Sequence, residues 1–137
     1  MDNETYKALS QARIERAKEL LEEAETLLAN EKYKSANNRA FYSIEKSIKA
    51  LLSDKMIDAD SHNGCLRQFN VHFIKDEIGG FGPGDYKRVA DAQRIRNNSD
   101  YDDFYIADKD ECIRQVETAR EFLSKASEYI TKNDIES

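Results

Sequence analysis

TYKALSQARIERAKELLEEAETLLAN, residues 5–30, carries apolar side chains at Ile14, Ala17, Leu21, Ala24 and Leu28, with Leu20 and Leu27 beside them. The steps alternate three and four, which aligns these residues in one stripe along a helix. Glu15, Lys18, Glu19, Glu22, Glu23 and Glu25 mostly fill the other face. The pattern predicts a long amphipathic helix. After Glu31 and Lys32 it resumes in a second helix, from about Tyr33 to Ser53, striped by Ala40, Ile44, Ser47/Ile48 and Leu51 and widened by Phe41 and Leu52. So short a link between two long helices predicts an antiparallel hairpin.

The rest of the chain continues in helices. Residues 54–60 break the period, and Asp60 or Ser61 then suits the cap of a third helix in which Cys65/Leu66, Phe69 and Phe73 recur at helical spacing. The run from Gly79 to Gly84 holds four of the five glycines and the sole proline, so it reads as a flexible connector that ends the third helix. It lacks the preceding strand and the following Lys-Ser/Thr of a phosphate-cradling loop. Asp85 suits the cap of a short fourth helix running to about Asn97, and a polar-aromatic stretch follows from Asn98 to Ala107. Asp108-Lys109-Asp110-Glu111 resembles a capping box, opening a last helix striped by Ile113, Val116, Ala119, Leu123, Ala126 and Ile130. No strand of any length shows period-two alternation. The expected fold is all-α, an up-and-down bundle of four to five helices, in a single domain over residues 1–137.

Composition agrees and narrows the function. The chain has 137 residues, with 21 Lys and Arg against 27 Asp and Glu, a net charge of −6. One domain is the expectation at this length. No run approaches the ~18–20 apolar residues of a membrane span, and the first twenty residues show no signal-peptide pattern. The expectation is a soluble cytoplasmic protein with no membrane partner. A sequence pI near 5.0 argues against coating nucleic acid through a general basic surface, and leaves a local basic pocket open. Cys65 and Cys112 stand far apart without a CxxC pair, and read as two buried thiols of a reduced protein.

His62, Cys65 and His72 make three potential ligands dispersed around one helix, short of the four of a structural zinc site; no metal and no cofactor is expected. Neither a Gly-x-Ser-x-Gly elbow nor a Cys-His-Asn pattern supports acyl transfer. The fourth helix is more informative. At about 100° per residue, Arg96 falls between Ala92 and Val89 in the apolar sector, whereas Arg94 falls beside Lys87 and Asp91. Arg94 reads as a solvated partner of Asp91. Arg96 should point inward, where a guanidinium needs an acid or carbonyl such as Asp100 or Glu45. In the run Asn97 to Tyr105, Tyr and Phe are expected to pin the loop to the bundle. The hydrogen-bonding groups beside Arg96 offer an alternative role in binding a phosphate or a base.

Four stretches in register resemble the HEPN domain (higher eukaryotes and prokaryotes nucleotide-binding), in particular its small stand-alone prokaryotic members. They are the first-helix pattern Ala17–Leu28; Asn38-Arg39-Ala40-Phe41-Tyr42; Ser61-His62-Asn63-Gly64 leading to Phe73-Ile74-Lys75; and Arg96-x-x-x-Asp100-Tyr101. The resemblance implies a helical bundle that forms a homodimer. It also implies membership of toxin–antitoxin pairs whose partner is often a separate minimal nucleotidyltransferase. Ribonuclease members carry an Arg-x4–6-His motif near the fourth helix and need no metal. By this resemblance the Arg would hold the scissile phosphate and the His would transfer protons at a dimer cleft, attack coming from the RNA 2′-hydroxyl.

This chain departs from that motif. From Arg96 the spacing leads to Tyr101, Asp102 or Asp103, and from Arg94 to Ser99, Asp100 or Tyr101. His62 and His72 lie on a different predicted helix. A tyrosine hydroxyl ordinarily titrates near about 10 and does not replace imidazole at neutral pH. The departure argues against ribonuclease activity by the family mechanism, and against assigning a catalytic residue. Arg96, Asn97, Asp100 and Tyr101 remain the candidate nucleotide- or phosphate-binding residues. The leading expectation is a non-catalytic nucleotide- or RNA-binding, or interaction, subunit paired with a nucleotidyltransferase. The alternatives are a divergent ribonuclease using Arg96 with Tyr101 or Asp102, and a structural dimeric scaffold.

Overall fold

The structure, a computed structural model, describes residues 1–136. It contains five α-helices: α1 (Asn3–Ala29), α2 (Tyr33–Asp54), α3 (His62–Phe69), α4 (Gly84–Tyr101) and α5 (Lys109–Glu136). Among the described residues there is no strand, and no helix is long and apolar enough to cross a membrane. A π-helical turn over Asn70–Ile74 and a 3-10 turn over Ile78–Gly80 carry the chain from α3 towards α4.

The expected stripes become the core. Ile14, Ala17, Leu21 and Ala24 of α1 are buried against Ala40, Ile44, Ile48 and Leu51 of α2 and Val116, Ala119, Leu123, Ala126 and Ile130 of α5. Two buried hydroxyls fix the antiparallel hairpin. Ser10 donates to the Ala50 carbonyl at 2.8 Å and Ser43 to the Ala17 carbonyl at 2.8 Å, so α2 runs back along α1. Each bond satisfies a polar group that would otherwise cost about 1–3 kcal/mol in the interior. Cys65 and Cys112 are buried free thiols, as expected.

Several local expectations are corrected. Ser61 does cap α3, accepting from Gly64 N at 2.9 Å, but α4 opens one residue before Asp85. The Asp85 carboxylate sits inside the first turn and reaches back to Gly82 N at 2.9 Å. The Gly/Pro segment is no loose connector, because Phe81 within it is buried against Phe69 and Phe122, with ring centroids 5.0 and 5.3 Å away. At the start of α5, Asp108 accepts from Glu111 N at 3.1 Å, but the Glu111 carboxylate turns to the Tyr105 hydroxyl instead of closing the box.

The largest difference lies at the end of α4. The helix continues one turn past Asn97, to Tyr101, because Ser99 is buried there and accepts from the side chain of Asn37 at 3.1 Å. That added turn ends on Tyr101 and leaves the Tyr101 and Phe104 rings outside the bundle. Tyr101 is 75% and Phe104 94% exposed, so they do not pin the loop; only Tyr105, half-buried on Glu111, ties it down.

Candidate functional site

Arg96 is the centre of the polar cluster. It lies on the inner face of α4, as the helical wheel predicts, and its side chain is 7% exposed. Extension of the helix brings Asp100 one turn later onto the same face, and Arg96 Nη1 donates to Asp100 Oδ2 at 3.4 Å. Asp100 also accepts from Asn38 Nδ2 of α2 at 2.9 Å. The guanidinium lies against three rings, with its carbon 5.4 Å from the Phe41 centroid, 5.3 Å from Tyr42 and 5.7 Å from Tyr101. Partly desolvated cation–ring contacts of this kind are each worth about 0.5–2 kcal/mol. Arg96 Nε is buried without a hydrogen-bond partner.

The second acid expected for Arg96 serves another residue. Buried Glu45 of α2 accepts from His62 Nδ1, at the start of α3, and pairs with Lys49 at 3.5 Å. The other ring nitrogen, His62 Nε2, lies 3.4 Å from Arg96 Nη2. A guanidinium can only donate, so Nε2 accepts in this contact and Nδ1 carries the proton that faces Glu45. The side chains therefore form a chain, Glu45–His62–Arg96–Asp100–Asn38, that joins α2, α3 and α4. His62 remains 36% exposed at its rim.

Of the candidate residues, Arg96, Asp100 and Tyr101 come together. Asn97 does not join them: it is exposed on the next position of α4. Asp102 is also apart, its carboxylate accepting from Phe104 N at 3.0 Å. Arg94 is exposed, and Asp91 pairs with Lys87 at 2.9 Å rather than with Arg94. Sequence reasoning missed Glu45 as the partner of His62, and Asn38 as the partner of Asp100. The signals were present in a carboxylate adjoining the apolar stripe of α2, and in a histidine directly after the α3 cap. Among the described residues no group of three or more His, Cys, Asp or Glu side chains converges as a metal site.

A second polar node ties α4 to α5. Arg88 donates to Asp85 at 3.1 Å, to Thr118 at 3.3 Å and to Glu121 at 2.6 Å, and Lys125 also pairs with Glu121 at 2.9 Å. Hydrogen bonds from Arg88 and Lys125 hold the Glu121 carboxyl down at about 2. Neither thiol is activated: burial pushes Cys65 up to about 12 and Cys112 up to about 11.

The HEPN domain model matches residues 10–129. A protein of Methanocaldococcus jannaschii named "Putative toxin" is 32% identical over 130 residues, covering 95% of this chain and 87% of that protein. A second protein of the same organism and name is 35% identical over 92 residues, 66% of each chain. A UPF0332 protein of Thermotoga maritima is 30% identical over 118 residues, 82% of this chain and 86% of that protein. With the all-α bundle and the Arg96 cluster at the end of its fourth helix, these matches assign the chain to the HEPN domain family.

Proposed function

We propose that the protein is a toxin-like HEPN subunit that acts without cleaving RNA, as a homodimer and in a pair with a separate minimal nucleotidyltransferase. One observation carries the non-catalytic part: the Arg96 guanidinium is covered and engaged by Asp100, His62 and three rings. A scissile phosphate would have to displace Asp100 to reach it. The names of the M. jannaschii relatives support the toxin-like part. A nucleotide would meet the cluster at its open edge, with a base on the exposed Tyr101 ring and a ribose beside Asp100 and Asn38. Such contacts suit recognition better than phosphoryl chemistry.

A second reading, a divergent metal-independent ribonuclease, draws on the 3.4 Å approach of His62 to Arg96. In this reading an imidazole from α3 stands near the arginine that lacks a motif histidine, and Asp100 must release Arg96 before substrate binds.

RNA cleavage by the purified protein in EDTA, beside Arg96→Ala and His62→Ala, separates the readings. The non-catalytic reading expects no cleavage by any form. Cleavage by the wild-type protein that both substitutions abolish would replace it with the second. Co-purification with a nucleotidyltransferase encoded beside the gene tests the partner, and light scattering in dilute solution tests the dimer.

A further inference from the structure

Half-buried Lys46 faces like charges that the α1–α2 hairpin holds in place. The bonds from Ser10 to Ala50 and from Ser43 to Ala17 set Lys46 level with the turn of α1 that carries Arg13 and Arg16. Lys49 lies one turn further along the same face of α2. The nearby carboxylates are engaged elsewhere: Glu45 serves His62 and Lys49, and Glu19 and Glu23 lie on Arg16. Arg13 donates to the Ser53 hydroxyl, and neither Arg13 nor Lys46 is in an ion pair among the described residues. From α3 the cluster meets the Cys65 thiol, which burial keeps protonated. Partial burial first, then the charges of Lys49, Arg13 and Arg16, hold the Lys46 amine below the usual lysine value, against the pull of Glu45.

We propose that Lys46 is a site of reversible carbamylation by CO2, and that the carbamate formed there pairs with Arg13 across the α1–α2 hairpin. The lone pair of the neutral Nζ attacks the carbon of CO2. A C–N bond forms, one C=O π bond opens onto oxygen, and the nitrogen releases a proton to water; no electron is gained or lost overall. The reaction replaces a cation that has no acid to pair with by an anion beside Arg13, so the surrounding charges favour the product. Lys18, Lys49, Lys87 and Lys125 differ on this point. Each is paired with a carboxylate, of Glu15, Glu45, Asp91 and Glu121 respectively, and a carbamate at any of them would meet a like charge. The proposal does not depend on what the Arg96 cluster binds.

The test is trapping with triethyloxonium ion, which converts a carbamate into a stable ethyl ester, after equilibration with isotope-labelled bicarbonate and CO2 at pH 8. Peptide mass spectrometry should find severalfold more labelled ester at Lys46 than at the exposed Lys109. In urea that preference should disappear, because it belongs to the folded hairpin. Arg13→Gln keeps a donor for Ser53 and removes the charge, and should lower the Lys46 label about fivefold, the scale of one ion pair near the surface. Exchanging chloride for bicarbonate at constant pH and ionic strength should raise the thermal midpoint of the wild-type protein, since CO2 adds to the folded form. Lys46→Arg keeps the charge but cannot form this carbamate, so its midpoint should not respond. The proposal is overturned if Lys46 carries no more label than Lys109, if Arg13→Gln leaves the Lys46 label unchanged, or if Lys46→Arg responds to bicarbonate as the wild type does.

Discussion

Arg96 and His62 stand 34 residues apart in the chain and meet with Nη2 3.4 Å from Nε2. The contact fastens the first turn of α3 to α4, while Glu45 holds the far side of the same ring to α2. Removing the imidazole therefore strips a buried carboxylate and a buried guanidinium of one partner each. His62→Ala should cost about 1–3 kcal/mol, since a buried group left unsatisfied costs its desolvation. Thermal unfolding should show a midpoint lower by several degrees, at roughly 3–5 °C per kcal/mol for a chain of this size. A midpoint within 1 °C of wild type would mean that α3 is held by its apolar contacts alone.

Arg96→Lys should behave nearly as badly as Arg96→Ala. An ammonium cannot reach Asp100 and His62 together while staying packed among Phe41, Tyr42 and Tyr101. Both variants should unfold at lower denaturant concentration than wild type, by about 2 kcal/mol or more. Full stability in the lysine variant would show that charge alone, without the planar fork, satisfies this site.

The two clusters were not equally legible in the sequence. Helical periodicity found all five helices, because burial of an apolar face dominates their energetics and leaves a direct trace in residue spacing. The same wheel turned Arg96 inward, where a buried guanidinium needs an acid, and Asp100, read as lying just past the helix end, was named for it beside Glu45. His62 eluded that logic: its contact with Arg96 depends on how α3 leans on α4, which no local pattern encodes. The end of α4 was misread for a related reason. Ser99 looks like a turn residue by itself, and only the Asn37 side chain across the bundle makes it a helix interior position. Phe81 and Phe104 reverse expectation in the same way. The one in the Gly/Pro loop is core and the one beside Tyr105 is solvent-facing.

That reversal gives a direct comparison. Phe104→Ser should change stability by no more than about 0.5 kcal/mol, the usual range for an exposed position. Phe81→Ala should cost about 3–5 kcal/mol, because it opens a cavity between Phe69 and Phe122. Urea unfolding of the two variants measures both. A costly Phe104→Ser would return that ring to the role of pinning the loop.

At low pH the Arg88 node should set part of the stability profile. The Glu121 carboxyl is depressed from 4.5 to about 2, first by the hydrogen bond from Arg88 and then by that from Lys125. Its contribution is therefore fully present above about pH 4.5 and is lost as the pH falls towards 2. Because Glu121 is 42% exposed, solvent screening limits the effect to about 1 kcal/mol or less. Arg88→Gln should flatten the profile between pH 4.5 and 2 in denaturant titrations. An unchanged acid limb would show that Lys125 alone holds the carboxyl.

At high pH the sign reverses. Burial first, then Glu45, raises the Cys65 thiol from 9.0 to about 12, and burial followed by the Glu111 contact raises Tyr105 from 10.0 to about 12. Each group is held protonated in the folded chain but ionises in the unfolded one near its ordinary value. The stability they contribute is thus complete below pH 9 and is lost between pH 9 and 12. The same burial makes both cysteines poor nucleophiles. Native protein at pH 8 should resist iodoacetamide, and both Cys65 and Cys112 should alkylate once urea unfolds the bundle. Mass spectrometry resolves the two sites. Labelling of Cys65 at the rate of a free thiol in native buffer would show that α3 opens locally, with the His62 contact too weak to keep it closed.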